Sequence, residues 1–253
     1  MLKIHQFPCL HDNYGFLAHD PASGETAAID TPDAEKYLSE AASQGWTITQ
    51  IWNTHWHADH AGGNEAIKAE TGCKIVGPKG EAGKIPGIDR EVGGGDAVTL
   101  GDVEARVIDV PGHTLGHIAF HVPASSLAFV GDALFALGCG RLFEGTPEMM
   151  WESLSRLKAL PAETTIYCAH EYTQSNARFA VTVDPENAAL AAYANEVDTR
   201  RAAGEWTVPT TLRKELAANP FLRVDDVGLQ TAMGHVGDAV ATFAEVRRRK
   251  DSF

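Results

Sequence analysis

The stretch Thr54-His55-Trp56-His57-Ala58-Asp59-His60 constrains this chain more than any other. It places three imidazoles and a carboxylate within six residues, directly behind residues 48–53, whose β-branched and aromatic content reads as a strand. His55 and His57 stand two apart, so an extended segment or a tight loop can turn both rings the same way. Asp59 and His60 follow where the chain must turn, because Ala61-Gly62-Gly63-Asn64 comes next and a helical pattern starts at Glu65. Protonated, the rings would repel one another. A divalent cation turns neutral imidazole and carboxylate into attractive partners. The fold therefore has to bring a strand end, a turn and a helix start to one metal-binding corner.

The flanking sequence is consistent with that demand. Alternating segments 2–7, 14–19 and 26–30 predict antiparallel strands, with Asp12-Asn13 and Pro21-Ala22-Ser23-Gly24 as turns. Thr31-Pro32-Asp33 opens a helix that runs to about Gln44-Gly45. Strand 48–53, helix 65–70 and strand 73–77 then alternate, which marks α/β layering. From 93 to 130 the helical period gives way to β-rich pieces at 97–100, 103–110, 117–122 and 127–130. A helix at 147–160 carries Met150, Leu154, Leu157 and Trp151 on one face, and a strand follows at 165–168. Beyond Glu171 every candidate is helical: 172–181, 185–203, 210–217 and 239–249. This shift predicts a main domain over 1–170 and a helical domain over 171–253.

Three later polar residues share the logic of the opening stretch. His113 stands in Pro111-Gly112-His113 just after a strand, Asp132 follows Phe129-Val130-Gly131, and His170 follows Tyr167-Cys168-Ala169. The ends of strands are where α/β architectures collect ligands from distant parts of the chain. His55, His57, Asp59, His60, His113, Asp132 and His170 are too many donors for one tetrahedral zinc, which takes about three protein ligands in a catalytic site. The count predicts two divalent metal ions per chain bridged by a carboxylate, zinc first, with iron or manganese as alternatives. Two such ions about 3.5–4 Å apart acidify a shared water and polarise an incoming oxygen. Hydrolysis is the expected reaction, and no GxSxG nucleophile motif competes with it. His117 is read either as a partner that fixes a ligand or as a satisfied histidine at a strand start. His5, His11, His19, His121 and His235 are read as structural or surface residues.

The formal charge of -13 argues against a general nucleic-acid binder, which needs clustered Lys and Arg, and leaves room for a local basic site. The N-terminus has no basic segment followed by an apolar run, and no stretch approaches a membrane span, so a cytoplasmic monomer without a membrane partner is expected. Cys9, Cys73, Cys139 and Cys168 lack CxxC spacing and are expected to be buried free thiols.

The runs THWHADH, PGHTLGH, GDAL around Asp132 and CAHEYT around His170 resemble the successive motifs of the metallo-β-lactamase superfamily. That resemblance implies a four-layer αββα sandwich, with a smaller C-terminal α-helical domain. It further implies that His55, His57 and His113 hold one ion, that Asp59, His60 and His170 hold the other, and that Asp132 bridges them, with Asp59 and Asp132 serving catalysis. The segments GCGRLFEGT, CAHEYTQSNARFA, NPFLR and RRRKDSF are similar to the glyoxalase II (hydroxyacylglutathione hydrolase) family over essentially the whole chain. For that family the implied substrate is S-D-lactoylglutathione, cleaved to D-lactate and glutathione in the second step of methylglyoxal detoxification. Arg247 and Lys250 match the family's site for the glycine carboxylate, Arg141 a cation position and Tyr172 a ligand-contacting tyrosine. Phe143 departs from the tyrosine that some members carry. A glutathione persulfide dioxygenase or another hydrolase of this fold is the alternative.

Overall fold

The computed structural model describes all residues 1–253. The chain divides into two compact units: residues 1–109 with 115–131, and residues 110–114 with 132–253.

The first unit begins with β1 (Lys3–Cys9), β2 (Asn13–His19) and β3 (Thr26–Ile29), antiparallel as expected. Then come α1 (Ala34–Ser43), β4 (Gln50–Trp52), α2 (Ala58–Ala61), α3 (Asn64–Thr71), β5 (Lys74–Pro78) and β6 (Arg90–Val92). β3, β4, β5 and β6 run parallel, so one sheet in the order β1-β2-β3-β4-β5-β6 changes from hairpins to crossovers at β3. Asp33 caps α1 by accepting from the Lys36 amide, and the helix ends at Gln44. One face of this sheet is sealed by the two crossover helices: Tyr37 and Ala41 of α1 and Ile67 of α3 pack with Phe7, Leu17, Ala28, Ile51 and Ile75. Burial of that many apolar side chains, at about 1.5–3 kcal/mol each, is the main force holding helix to sheet. β7 (Ala97–Leu100), β8 (Val103–Asp109), β9 (Ile118–Val122) and β10 (Leu127–Gly131) form an antiparallel run. It meets the other face of the first sheet, with Trp52 against Phe120 at 5.2 Å and Phe16 against Phe129 at 6.0 Å between ring centroids. This unit is thus layered helix, sheet, sheet.

The second unit holds the hairpin β11 (Leu134–Phe135) and β12 (Gly138–Cys139), α4 (Pro147–Lys158), β13 (Thr165–Cys168), α5 (Thr173–Val183), α6 (Ala188–Ala202), β14 (Thr210–Thr211), α7 (Leu212–Ala218), α8 (Val227–Met233) and α9 (Ala239–Asp251). Met150, Leu154 and Leu157 form the buried face of α4, while Trp151 is only half-buried. One expectation needs correction: the region beyond Glu171 is not wholly helical, because Thr210-Thr211 pairs antiparallel with β13 and the helix starts at Leu212. Thr211 caps that helix through its hydroxyl, a choice open to a β-branched residue at a strand end. All four cysteines are buried and free. No helix is long and apolar enough to cross a membrane.

Candidate functional site

In the first unit the chain turns at the carboxyl ends of neighbouring parallel strands, Ile29 lying opposite Trp52. Asp30 leaves β3 with φ +48°, in the left-handed region that costs most residues and that Asp tolerates better than most. That turn aims its carboxylate at the loop of Thr54 and His60. Oδ1 accepts from the Thr54 amide at 2.7 Å, and Oδ2 accepts from the Thr54 hydroxyl and from His60 Nδ1, both at 2.9 Å. An ionised carboxylate only accepts, so the His60 proton sits on Nδ1, and in the neutral ring the lone pair is on Nε2. His55 Nε2 lies 3.0 Å from His57 Nδ1, and His60 Nε2 lies 3.6 Å from Asp59 Oδ2. His55 with His57, His55 with His60, and Asp59 with His60 each bring ligand atoms within 4.8 Å. Asn13 steadies Asp59 with a 3.3 Å bond to Oδ2. His117 is fully buried and stacks on His55 at 4.6 Å and 17°. Its ring therefore lies flat against that of His55. Gly131 has to be glycine here, since a Cβ would meet the Thr54 hydroxyl at 2.4 Å and His117 at 2.9 Å.

In the second unit, residues 110–114 are pinned from two sides: the Ser153 hydroxyl donates to the Pro111 carbonyl at 2.6 Å, and the Gly145 amide to that of Gly112 at 3.0 Å. His113 Nδ1 is 2.8 Å from the Arg141 carbonyl. A carbonyl cannot donate, so His113 presents the lone pair of Nε2. Asp132 Oδ2 lies 3.4 Å from His113 Nε2, and Oδ1 lies 3.4 Å from His170 Nε2. One carboxylate thus faces two imidazoles, one through each oxygen. Imidazoles beside carboxylates, with the tautomers of His60 and His113 set by their acceptors, form a donor set that fits a divalent cation.

A cavity of about 560 Å³ opens in the same unit, a size suited to a small-molecule ligand. Its lining includes His113 and Asp132 together with every residue expected to touch substrate: Arg141, Phe143, Tyr172, Arg247 and Lys250. Arg247 is not a solvated helix end but only 6% exposed. Its Nε and Nη2 donate to Asp251 Oδ1 at 3.0 and 2.6 Å, and its Nη1 to the Cys139 carbonyl at 3.2 Å. Arg141 Nε lies 3.6 Å from the same Asp251 oxygen. Lys250 Nζ donates to the Ser175 carbonyl at 3.3 Å. Burial, and then the nearby Arg247 and Arg141, lower its ammonium to about 8. Tyr172 stacks on His170 at 4.7 Å with parallel rings, and exposed Phe143 stands edge-on to His113 at 5.2 Å. Asp30, Asp251 and Arg178, which also lines the cavity, are absent from the sequence-based prediction. Asp30 had a signal, a carboxylate just behind an apolar strand like Asp132, and Asp251 another, four residues past Arg247. Arg178 had none beyond its helix.

Residues 20–170 match the model of the metallo-beta-lactamase superfamily. That defines the class: this fold, with a His/Asp cluster that supports divalent-metal binding and a C-terminal helical domain. Residues 171–253 match the model described as hydroxyacylglutathione hydrolase C-terminus. A hydroxyacylglutathione hydrolase of Hyphomonas neptunium is 66% identical over all of this chain and 99% of its own length, and one of Erythrobacter litoralis 63% over all of both. The chain belongs to the hydroxyacylglutathione hydrolase family, and it is a hydrolase. Among solved structures, ETHE1 from Myxococcus xanthus is similar at TM-score 0.67 and 26% identity, over 88% of this chain and 84% of that one.

Proposed function

We propose that the chain hydrolyses the thioester of S-D-lactoylglutathione, a 2-hydroxyacylglutathione, releasing D-lactate and glutathione. The observation that carries this reading is the cavity whose wall holds metal-type donors, His113 and Asp132, together with a cluster of cations, Arg141, Arg247 and Lys250. In a protein of net charge -13, such a cluster suits a substrate with terminal carboxylates beside its reacting bond. His55, His57 and His113 would hold one divalent ion, Asp59, His60 and His170 a second, and Asp132 both, with zinc first and iron or manganese as alternatives. Bound divalent cations supply Lewis acidity, which lowers the pKa of water and polarises a carbonyl. The chain's own residues do the rest. Asp132 sets the spacing of the donors through its two oxygens. Asp59, partly exposed and steadied by Asn13, orients the proton of the attacking water. The leaving thiolate, with a parent pKa of about 8.5, needs no strong general acid. Arg247 and Lys250 take the glycine carboxylate, with Arg141, Phe143 and Tyr172 along the peptide, so residues 171–253 act as the substrate-binding domain.

A cytoplasmic monomer with neither nucleic-acid nor membrane partners goes with this reading, in keeping with four free buried cysteines. The dioxygenase alternative is not favoured, because relatives that match over the full length are named as hydrolases. Purified protein should split S-D-lactoylglutathione without consuming oxygen, and metal analysis of that sample should find close to two ions per chain. Absence of thioester cleavage in metal-loaded protein would remove the substrate reading, and full activity with one ion would remove the binuclear one.

A further inference from the structure

We propose that Glu81 is a positioning residue for the metal centre: a carboxylate clamp that holds the loop of His55 and His57 against the loop of His117. Glu81 ends a short 3-10 turn, Lys79–Glu81, directly behind β5, with only 3% of its surface exposed. A carboxylate so buried has lost its water and has to recover that solvation from donors in the protein. Two backbone amides supply part of it. The Trp56 N–H donates to Oε2 and the Gly116 N–H to Oε1, each at 2.9 Å. Trp56 lies between His55 and His57, and Gly116 directly precedes His117, the ring stacked on His55 at 4.6 Å. A single anion therefore spans both sides of the stacked pair, one oxygen to each loop.

The surroundings are built to this contact. A Cβ at Gly116 would come within 2.5 Å of Glu81 Cγ, so the loop approaches as closely as it does only because it carries glycine. Lys84, from the residues that follow, sets its ammonium 4.4 Å above the Trp56 ring and holds the same loop from its side chain. Hydrogen bonds to an ionised acceptor are about twice as strong as neutral ones, so the clamp fixes backbone that a neutral side chain would leave looser. Glu81 acts through His55 and His57 and not on substrate. The inference rests on the reading of those two histidines as ligands.

Glutamine separates clamp from packing. Glu81→Gln keeps the shape but turns one acceptor into an amide that faces an N–H, and so breaks one arm. Glu81→Asp keeps the charge but is too short to reach both loops. Metal-free wild type and both variants would be titrated with cobalt(II) against a competing chelator, with the visible cobalt spectrum recorded and the metal-free proteins unfolded in urea. The expected result is about a 10- to 100-fold loss of cobalt affinity in Glu81→Gln, as usual when a group that orients a ligand is lost. A changed cobalt spectrum should accompany it, the unfolding midpoint of the metal-free form staying close to wild type. Unchanged affinity and spectrum in both variants would overturn the clamp. Should neither variant fold, amide exchange in the metal-free wild type decides: joint protection of the Trp56 and Gly116 amides supports the clamp, and rapid exchange of either overturns it. Wild type that binds no cobalt would instead defeat the metal reading itself.

Discussion

Asp30 shows how much one residue can settle. It occupies a left-handed conformation, and in return one carboxylate fixes the Thr54 backbone and the tautomer of His60. Asp30→Asn keeps the size and the tolerance for that backbone but puts a donor amide where His60 Nδ1 or the Thr54 amide now donates. Metal affinity, measured by chelator competition, should fall about tenfold or more, with circular dichroism unchanged. Lys250 gives a pH dependence. Its ammonium titrates at about 8 in the folded chain against an ordinary 10.5. Rising pH should therefore remove a carboxylate partner through about pH 8, raising KM while kcat stays level. Stability moves the other way. Between 8 and 10.5 the unfolded chain binds the extra proton, so the penalty of burying this ammonium, fully present below 8, is relieved as pH rises. A Lys250→Arg variant, charged throughout, should lose the KM step near pH 8.

The hairpin of β11 and β12 makes the same point for an element. Two-residue strands cannot hold themselves, and this pair is held from outside. Asn219 donates to the Phe135 and Gly138 carbonyls at 3.1 and 3.0 Å, Asn176 donates to the Ala136 carbonyl at 3.1 Å, and the Leu137 amide donates to Glu215 at 2.8 Å. Glu215 is wholly buried, and burial pushes its carboxyl above the usual range. Asn219→Ala would strand two buried carbonyls and should cost on the order of 3 kcal/mol in urea unfolding. It should also raise KM, because Phe135 and Cys139 of this hairpin line the cavity. The strands at 97–100 and 165–168 were legible to the residue because each carries a short β-rich run between turn signals. β11, β12, β14 and α2 were not, since pieces of two to four residues have no period and are fixed by tertiary hydrogen bonds. His113, Asp132 and His170 stood out in the sequence because each follows an apolar strand, and residues 55–60 because three imidazoles and a carboxylate crowd into six positions. NPFLR was legible only as a family resemblance, and its role as the hairpin's latch required seeing where Asn219 points.

At the scale of the whole molecule, the reading separates bond cleavage from peptide recognition, and a substrate stripped of its peptide tests that separation. Lys250→Met should raise KM for S-D-lactoylglutathione about tenfold, the low end for a charge-assisted bond because Lys250 is only half-buried. Hydrolysis of a small lactoyl thioester without glutathione should barely change, since contacts made equally in ground and transition state act on binding alone. Equal losses on both substrates would make the last helix a structural element only. The segment 110–114 has a consequence in time. Both of its flanks belong to the first unit, yet its anchors are Arg141, Gly145 and Ser153. During synthesis His113 emerges from the ribosome before any of them, so the nascent chain carries this imidazole unoriented until about forty more residues have been added.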